Sequence, residues 1–143
     1  MPIGQEEIIE LSHQFHNLVM VKKGNAEQQS EFFLYPEPRI FLLHGEDISL
    51  QKNHEIHQKL IDEIHIPQKS WLITPLCNEP ERVRAVGCVY WEGRVRHSKN
   101  REKIKCFVGE DWIVQRTSDG QLKFVLYINA YHHFLPDSAM ISF

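Results

Sequence analysis

Two histidines three residues apart, His54 and His57, are the residues of this sequence best placed to do chemistry. With Leu50, Ile61 and Ile64 they form a series that advances by three or four residues, so a helix here would carry both rings on its apolar side. A histidine that faces a cavity exchanges protons near neutral pH. We therefore predict His57 as a general acid or base and His54 as a ligand contact. A core histidine bonded to a backbone carbonyl is the alternative.

Aromatic side chains that carry a polar atom form a second group of candidates. Tyr and Trp combine a large apolar ring with one hydrogen-bonding group, which suits a flat organic ligand. Alternation along the last apolar segment places Tyr127, Asn129 and Tyr131 on one face of a strand. The predicted ligand contacts of this group are Trp91, Trp112, Tyr127, Asn129 and Tyr131. Rings that only fill the core are the alternative.

Other catalytic or metal-binding patterns are incomplete. His13 and His16, like His54 and His57, have a spacing that suits a metal, but no carboxylate completes a recognised ligand set such as H-E-x-x-H. There is also no G-x-S-x-G nucleophile motif and no glycine-rich phosphate loop. We therefore predict neither a metal site nor a cofactor.

The three cysteines, Cys77, Cys88 and Cys106, are odd in number and lack C-x-x-C spacing. They predict neither a disulfide framework nor a zinc knuckle, and they favour a reducing compartment such as the cytoplasm. Residues 1–10 contain carboxylates and no basic, apolar leader, so a secretory signal is not expected.

Length and composition are those of one globular domain over residues 1–143. Hydrophobic residues make up 42% and charged residues 24%, which argues against a disordered chain. The formal net charge of −3 argues against nucleic acid or an anionic membrane as a partner, and the apolar runs are too short to span a bilayer. The basic connection at 97–103 is expected to be a solvated loop.

Apolar periodicity divides the chain into helices followed by strands. The predicted helices cover 6–22, 26–34 and 50–64, and the predicted strands cover 39–44, 70–77, 82–96, 104–117 and 121–133. Gly87, Gly93 and Gly109 interrupt the strands and indicate bends. The sequence therefore predicts an α+β domain in which N-terminal helices pack on a curved antiparallel sheet and enclose a pocket.

The order of these breaks and turns is shared with a known superfamily. The matching segments are Lys23-Gly24-Asn25, Phe33–Pro36, Arg39–Gly45, the third helix and the hairpin with Asp119-Gly120. In these features the chain resembles the nuclear-transport-factor-two-like, or cystatin-like cone, superfamily, and in particular its SnoaL-like (polyketide-cyclase-like) branch. The resemblance implies a cone-shaped domain with a ligand pocket. Ketosteroid isomerases and scytalone dehydratase are among the enzymes of that superfamily.

The catalytic residues of the isomerase-like members do not carry over to this chain. Their carboxylate base lies on the strand that matches Arg39–His44, which has no carboxylate here. Their helix-one tyrosine is missing from the comparable Phe15-His16-Asn17, and their acidic hydrogen-bond donor corresponds to a position near Trp112. The resemblance therefore points to pocket histidines, as in the dehydratase and some cyclases.

Aligning the last hairpin with the superfamily turns the Tyr127 face of the final strand toward the pocket. The opposite face, with Leu122, Phe124, Leu126 and Ile128, is then expected to be an apolar outer surface covered by a homodimer. The expected function is binding of a small, partly apolar organic molecule, with isomerisation, cyclisation or dehydration by proton transfer. A non-catalytic dimerisation or protein-association module is the alternative.

Overall fold

A computed structural model describes residues 2–97, 99 and 102–140, so Ser98, Asn100 and Arg101 of the basic connection lie outside the described residues. The helical elements are α1 (Gln5–His16), a π-helical turn (Asn17–Val21), α2 (Ala26–Ser30), a 3₁₀ turn (Leu43–Gly45) and α3 (Leu50–Gln58). The strands are β1 (Arg39–Phe41), β2 (Asp47–Ser49), β3 (Leu60–Pro67), β4 (Leu72–Cys77), β5 (Arg82–Val95), β6 (Ile104–Arg116) and β7 (Leu122–Phe134). None of the described helices is long and apolar enough to cross a membrane.

Seven strands form one curved sheet in the order β2-β1-β7-β6-β5-β3, with β4 also paired to β5. The long strands β5, β6 and β7 are antiparallel, whereas β1 runs parallel to β7 and pairs Ile40 with Tyr127. The sheet is therefore mixed at this edge rather than purely antiparallel. The helices pack on its inner face around one hydrophobic core, which confirms the predicted α+β arrangement.

The segment after His57 is a strand rather than the end of a helix. Helix α3 stops at Gln58, and Leu60–Pro67 pairs with β5 instead of completing the predicted helix to residue 64. The β-branched residues Ile61 and Ile64 favour extended backbone, and pairing with β5 satisfies the hydrogen-bonding groups of both strands. His57 therefore lies in the last turn of α3, close to where β3 begins.

Helix α2 also ends early, at Ser30 rather than at residue 34. The amide of Leu34 donates to the carbonyl of Phe124 at 2.9 Å, and the amide of Phe124 donates to the carbonyl of Phe32 at 2.8 Å. The chain leaves the helix because these bonds tie it to the edge of β7.

Helix α1 and the π-helical turn supply the helical side of the core. Ile8, Leu11 and Phe15 form the buried stripe of α1, and Val19 and Met20 continue it through the π-helical turn. On the inner sheet face these side chains meet a cluster of aromatic rings, Trp71, Trp112, Phe124 and Tyr127.

Two register shifts between β6 and β7 change which way the side chains of β7 face. An extra residue at such a shift turns the following side chains to the opposite face. Phe124, predicted on the outer face, is 1% exposed and lies in the core together with Tyr127. Tyr131, predicted to face the pocket, is 50% exposed on the outer face. The predicted assignment of faces along the last strand is therefore wrong at these two positions.

Two glycines of the sheet are covered by aromatic rings that differ in exposure. A Cβ at Gly87 would clash with the ring of Trp71, which is buried, and a Cβ at Gly109 would clash with the ring of Tyr131, which is half-exposed. We expect Gly87→Ala to lower the free energy of unfolding by about 1–3 kcal/mol, because the Trp71 ring has no room to move. Within a single chain, Gly109→Ala should cost clearly less, because Tyr131 can swing into solvent. Urea denaturation of both variants measures the difference, and equal losses would contradict this explanation.

Candidate functional site

A cavity of about 310 Å³ lies between the helices and the inner face of the sheet. Much of its wall is apolar, with side chains such as Phe15 of α1, Ile40 of β1 and Val89 of β5. A mostly apolar cavity with a few polar groups is the usual form of a small-molecule site. The polar residues of the wall are His16, Asn53, His57, His65, Glu110, Tyr127, Asn129 and His132.

His57 is held at the cavity wall by a buried carboxylate. Its Nδ1 lies 2.8 Å from Oε1 of Glu63, whose side chain is 1% exposed. Lys23 donates from Nζ to Oε2 of Glu63 at 2.6 Å, and Trp91 donates from Nε1 to Oε1 at 3.0 Å. Burial raises the pKa of Glu63, but the hydrogen bonds and charges of His57 and Lys23 outweigh burial and bring this pKa below its ordinary value.

The ionised Glu63 selects one tautomer of His57. A carboxylate only accepts hydrogen bonds, so Nδ1 of His57 carries the hydrogen and Nε2 keeps its lone pair. Among the described residues, no group hydrogen-bonds to Nε2, and the His57 ring is part of the cavity wall. A histidine in this arrangement can take up a proton from a ligand while Glu63 stabilises the resulting imidazolium.

A second polar group surrounds Glu110, which is 2% exposed. Trp112 donates from Nε1 to Oε2 of Glu110 at 2.9 Å. Asn129, with its amide nitrogen turned toward Glu110, donates to the two carboxyl oxygens at 2.9 and 3.1 Å. Burial raises the pKa of Glu110 well above its ordinary value, although the hydrogen bonds of Trp112 and Tyr127 oppose this shift. Burial and the neighbouring Glu110 also raise the pKa of Tyr127 well above its ordinary value.

Two histidine rings stack in the same cavity wall. The ring centroids of His16 and His65 are 3.5 Å apart, and the rings are inclined by 13°. Nδ1 of His16 donates to the carbonyl oxygen of Ser12 at 2.7 Å, and its Nε2 accepts from the hydroxyl of Tyr127 at 2.7 Å. Burial lowers the pKa of His16 to about 3 and lowers the pKa of His65 well below its ordinary value. Both ring nitrogens of His65 are shielded from solvent, and neither has a hydrogen-bond partner within the described part of the chain.

Four of the residues predicted for the site line the cavity, namely His57, Trp91, Tyr127 and Asn129. The structure places the other three elsewhere. His54 lies outside the cavity wall with Nδ1 3.0 Å from the carbonyl oxygen of Gly24, which is the backbone-bonded alternative considered for it. Trp112 is fully buried in the core, and Tyr131 lies on the outer sheet face.

The sequence prediction misses Glu63, His65 and Glu110. The predicted helix over 50–64 hides Glu63 and ends one residue before His65, and both side chains turn to the interior because Leu60–Pro67 is a strand. The isoleucines at positions 61, 64 and 66 are the signal that favours this strand. Glu110 lies two residues before Trp112, close to the position that the resemblance assigns to an acidic hydrogen-bond donor.

Comparison with known proteins finds relatives by structure only. No family model and no curated protein matches the sequence. A candidate scytalone dehydratase from Novosphingobium aromaticivorans has a TM-score of 0.68 at 14% identity, covering 96% of this chain and 89% of that chain. A hexachlorocyclohexane dehydrochlorinase from Novosphingobium barchaimii has a TM-score of 0.65 at 12% identity, covering 96% and 94%. A candidate dehydratase of the nuclear-transport-factor-two-like family from Streptomyces avermitilis has a TM-score of 0.64 at 12% identity, covering 90% and 96%.

These identities of 12–14% over almost complete chains show a shared fold and nothing finer. The SnoaL-like branch of the superfamily therefore stays a prediction. The helices, the curved mixed sheet and the agreement with these structures give one conclusion. The chain has the nuclear-transport-factor-two-like cone fold that its sequence predicts.

Proposed function

We propose that this chain is an enzyme that moves a proton at a carbon atom of a small, partly apolar organic molecule. The observation that carries the proposal is the 2.8 Å contact of His57, which lies in the wall of a largely apolar cavity, with the buried carboxylate of Glu63. A base whose orientation is fixed by a buried carboxylate is preorganised for proton transfer. Apolar walls around it exclude water and suit a carbon skeleton.

In the proposed reaction, Nε2 of His57 takes a proton from a carbon next to a carbonyl group or next to a carbon that bears a leaving group. The electron pair of the broken C–H bond forms a new C=C bond. In an isomerisation the π electrons of the carbonyl group then move onto its oxygen, and in an elimination the leaving group departs with its bonding electrons. Tyr127 and Asn129 lie in the same wall and would contact the bound molecule. The imidazolium then returns its proton, either to another carbon in an isomerisation or to the leaving group in an elimination.

Two proteins of the same fold support this class of reaction by analogy. Their names describe them as a candidate dehydratase and a dehydrochlorinase, and both names denote eliminations. An elimination needs a base, and His57 in the cavity wall offers one. Cyclisation, expected for the SnoaL-like branch, starts from the same proton abstraction and belongs to the same proposal. Because one fold hosts many activities, the analogy only adds to the argument from the residues.

Deuterium exchange at carbon tests this function without knowledge of the product. The protein is incubated in D₂O with cyclic ketones, hydroxyketones and chlorinated cyclohexanes, and NMR follows the loss of C–H signals and the appearance of alkenes. We expect exchange or elimination above the uncatalysed rate for at least one of these classes. Absence of both across the panel, with a folded protein, would count against an enzyme and favour the association module.

We also propose that the outer sheet face forms a homodimer. Ile64, Ile66, Leu72 and Tyr131 lie on this face and are 42%, 50%, 67% and 50% exposed. An apolar sheet face of this kind is normally covered by a partner, and a second copy of the chain is the usual one. These exposed apolar residues differ from the outer-face residues predicted from the sequence, because Phe124 belongs to the core.

Ile66→Asp is expected to convert this dimer into a monomer, because the interface would have to bury an unpaired carboxylate. The melting temperature of the monomer should fall only modestly, since Ile66 is half-exposed within one chain. Size-exclusion chromatography with light scattering measures the mass. Val21→Asp is the matched control, because Val21 is 67% exposed at the end of the π-helical turn. A monomeric wild-type protein, or a dimer that Ile66→Asp leaves intact, would contradict the proposal.

The cytoplasm is the proposed location of this activity. Cys77, Cys88 and Cys106 are free thiols, and Cys77 is exposed. Exposed free thiols persist in a reducing compartment and are oxidised elsewhere.

A further inference from the structure

The cavity brings together three metal-ligating side chains that lie far apart in the sequence. One ligand atom each from His16, His65 and Glu110 lies within 4.8 Å of the others. Zinc–nitrogen and zinc–oxygen bonds of about 2.0–2.2 Å place the ligand atoms of a tetrahedral ion about 3.4 Å apart, so this set would have to close by up to about 1.4 Å to enclose one. Neither His-x-x-His pair of the sequence forms such a set within the described residues.

The side chain that points to a bound group is His65. Both of its ring nitrogens are buried, and neither meets a hydrogen-bond partner within residues 2–97, 99 and 102–140. Leaving a buried polar group without a partner costs about 1–3 kcal/mol, so positions of this kind normally have a partner outside the protein chain. His65 is part of the cavity wall, and that partner must therefore enter through the cavity. Metal binding requires the His65 ring to tilt out of its stack with His16, a movement that breaks no hydrogen bond of His65 among the described residues.

His16 is already oriented as a ligand. Its Nδ1–H donates to the carbonyl of Ser12 at 2.7 Å, which leaves the lone pair on Nε2. Metal-ligating histidines are normally fixed through their other ring nitrogen in this way. The hydroxyl of Tyr127 now donates to Nε2 at 2.7 Å, and an ion bound at His16 would displace this hydroxyl from the lone pair.

Glu110 becomes the anionic ligand of the set when a bound cation displaces the proton of its carboxyl group. Its carboxyl accepts hydrogen bonds from Trp112 and Asn129, yet no basic side chain in the described part of the chain forms an ion pair with it. Buried carboxylates are normally paired with a cation or coordinate a metal. We propose that His16, His65 and Glu110 bind a divalent transition-metal ion, for which two imidazoles and one carboxylate are a common ligand set. Three protein ligands leave a coordination position open toward the cavity.

Titration of the chelator-treated, tag-free protein with Co²⁺ and Zn²⁺ tests this site. We expect saturable one-to-one binding with visible absorption bands of ligated Co²⁺, and a rise in melting temperature by mass action. His65→Gln and Glu110→Gln should each weaken binding at least about 100-fold, because losing only a residue that hydrogen-bonds to a metal ligand already costs about 10–100-fold. The matched control is His132→Gln, because His132 lines the same cavity but is not one of the three ligands. It should keep the wild-type affinity.

Two results would overturn the site: no saturable binding by the wild-type protein, or binding that persists in both His65→Gln and Glu110→Gln. Circular dichroism confirms that each variant is folded before its affinity is measured. The metal proposal does not depend on the proton-transfer function, because its readout is binding alone. A protein that exchanges carbon-bound hydrogen without binding either ion refutes the metal site only. One that binds the ion without catalysing exchange supports the metal site.

Discussion

Replacing His57 with Ala is expected to slow proton exchange at carbon by about 10²–10⁴-fold, which is the usual contribution of a positioned general base. The melting temperature should change little, because the His57 side chain is 19% exposed and lies at the rim of the core. Glu63 also keeps its bonds to Lys23 and Trp91, so no buried charge loses its last partner. NMR in D₂O and thermal unfolding by circular dichroism measure both quantities on the same preparation.

Two further variants separate catalysis from packing. His54→Ala removes a ring from the same helix but outside the cavity, so it should leave the exchange rate unchanged. Glu63→Gln keeps the shape of the side chain but removes the charge that fixes the tautomer of His57, so the rate should fall while the fold persists. If His57→Ala destabilises the protein strongly and the remaining folded molecules keep their activity, His57 is a structural residue and not the base.

Replacing Trp112 with Ala is expected to lower the free energy of unfolding by about 3–5 kcal/mol, the range for truncating a large buried aromatic residue. Trp112 is 0% exposed, and its ring centroid lies 5.0 Å from that of Trp71, 5.0 Å from that of Phe124 and 5.2 Å from that of Tyr127. Truncation removes all of these contacts at once. For a domain of this length, the melting temperature should fall by roughly 10–20 °C.

Trp112→Phe distinguishes packing from hydrogen bonding at this position. It keeps much of the ring volume but removes the Nε1–H that donates to Glu110 at 2.9 Å. We expect a loss clearly smaller than that of Trp112→Ala, since most of the effect comes from filling the space among the rings. Urea denaturation of the three proteins measures both steps. A cost below about 1 kcal/mol for Trp112→Ala would mean that this core is loosely packed.

The sheet was predictable because its strands are long and their turns are local. The strands expected at 82–96, 104–117 and 121–133 are found at Arg82–Val95, Ile104–Arg116 and Leu122–Phe134. Each prediction depended on alternation over many residues and on turn residues such as Asp119 and Gly120, which act within a few positions of the chain. Boundaries set by such local signals need no knowledge of the rest of the molecule.

The candidate site was less predictable because long-range pairing decides it. Leu60–Pro67 becomes a strand only because β5 is beside it, and this pairing places Glu63 and His65 in the interior. The stack of His16 on His65 joins a helix to a strand that follows it by almost 50 residues. Simple alternation along β7 put Tyr131 in the pocket, but register shifts that depend on β6 move it to the outside.

The π-helical turn at Asn17–Val21 ends two residues before Lys23, the cation that reaches Glu63. The amide of Lys22 donates to the carbonyl of Asn17 at 3.1 Å, a span of five residues where an α-helix has four. Such a turn accommodates one inserted residue. In a regular α-helix the same insertion would rotate the residues that follow it, including Lys23, by about 100° around the helix axis. A homologue with a single deletion in this segment would present another side chain to its buried carboxylate. The length of this segment is therefore a marker, readable from an alignment, of the homologues that keep the Lys23–Glu63–His57 arrangement.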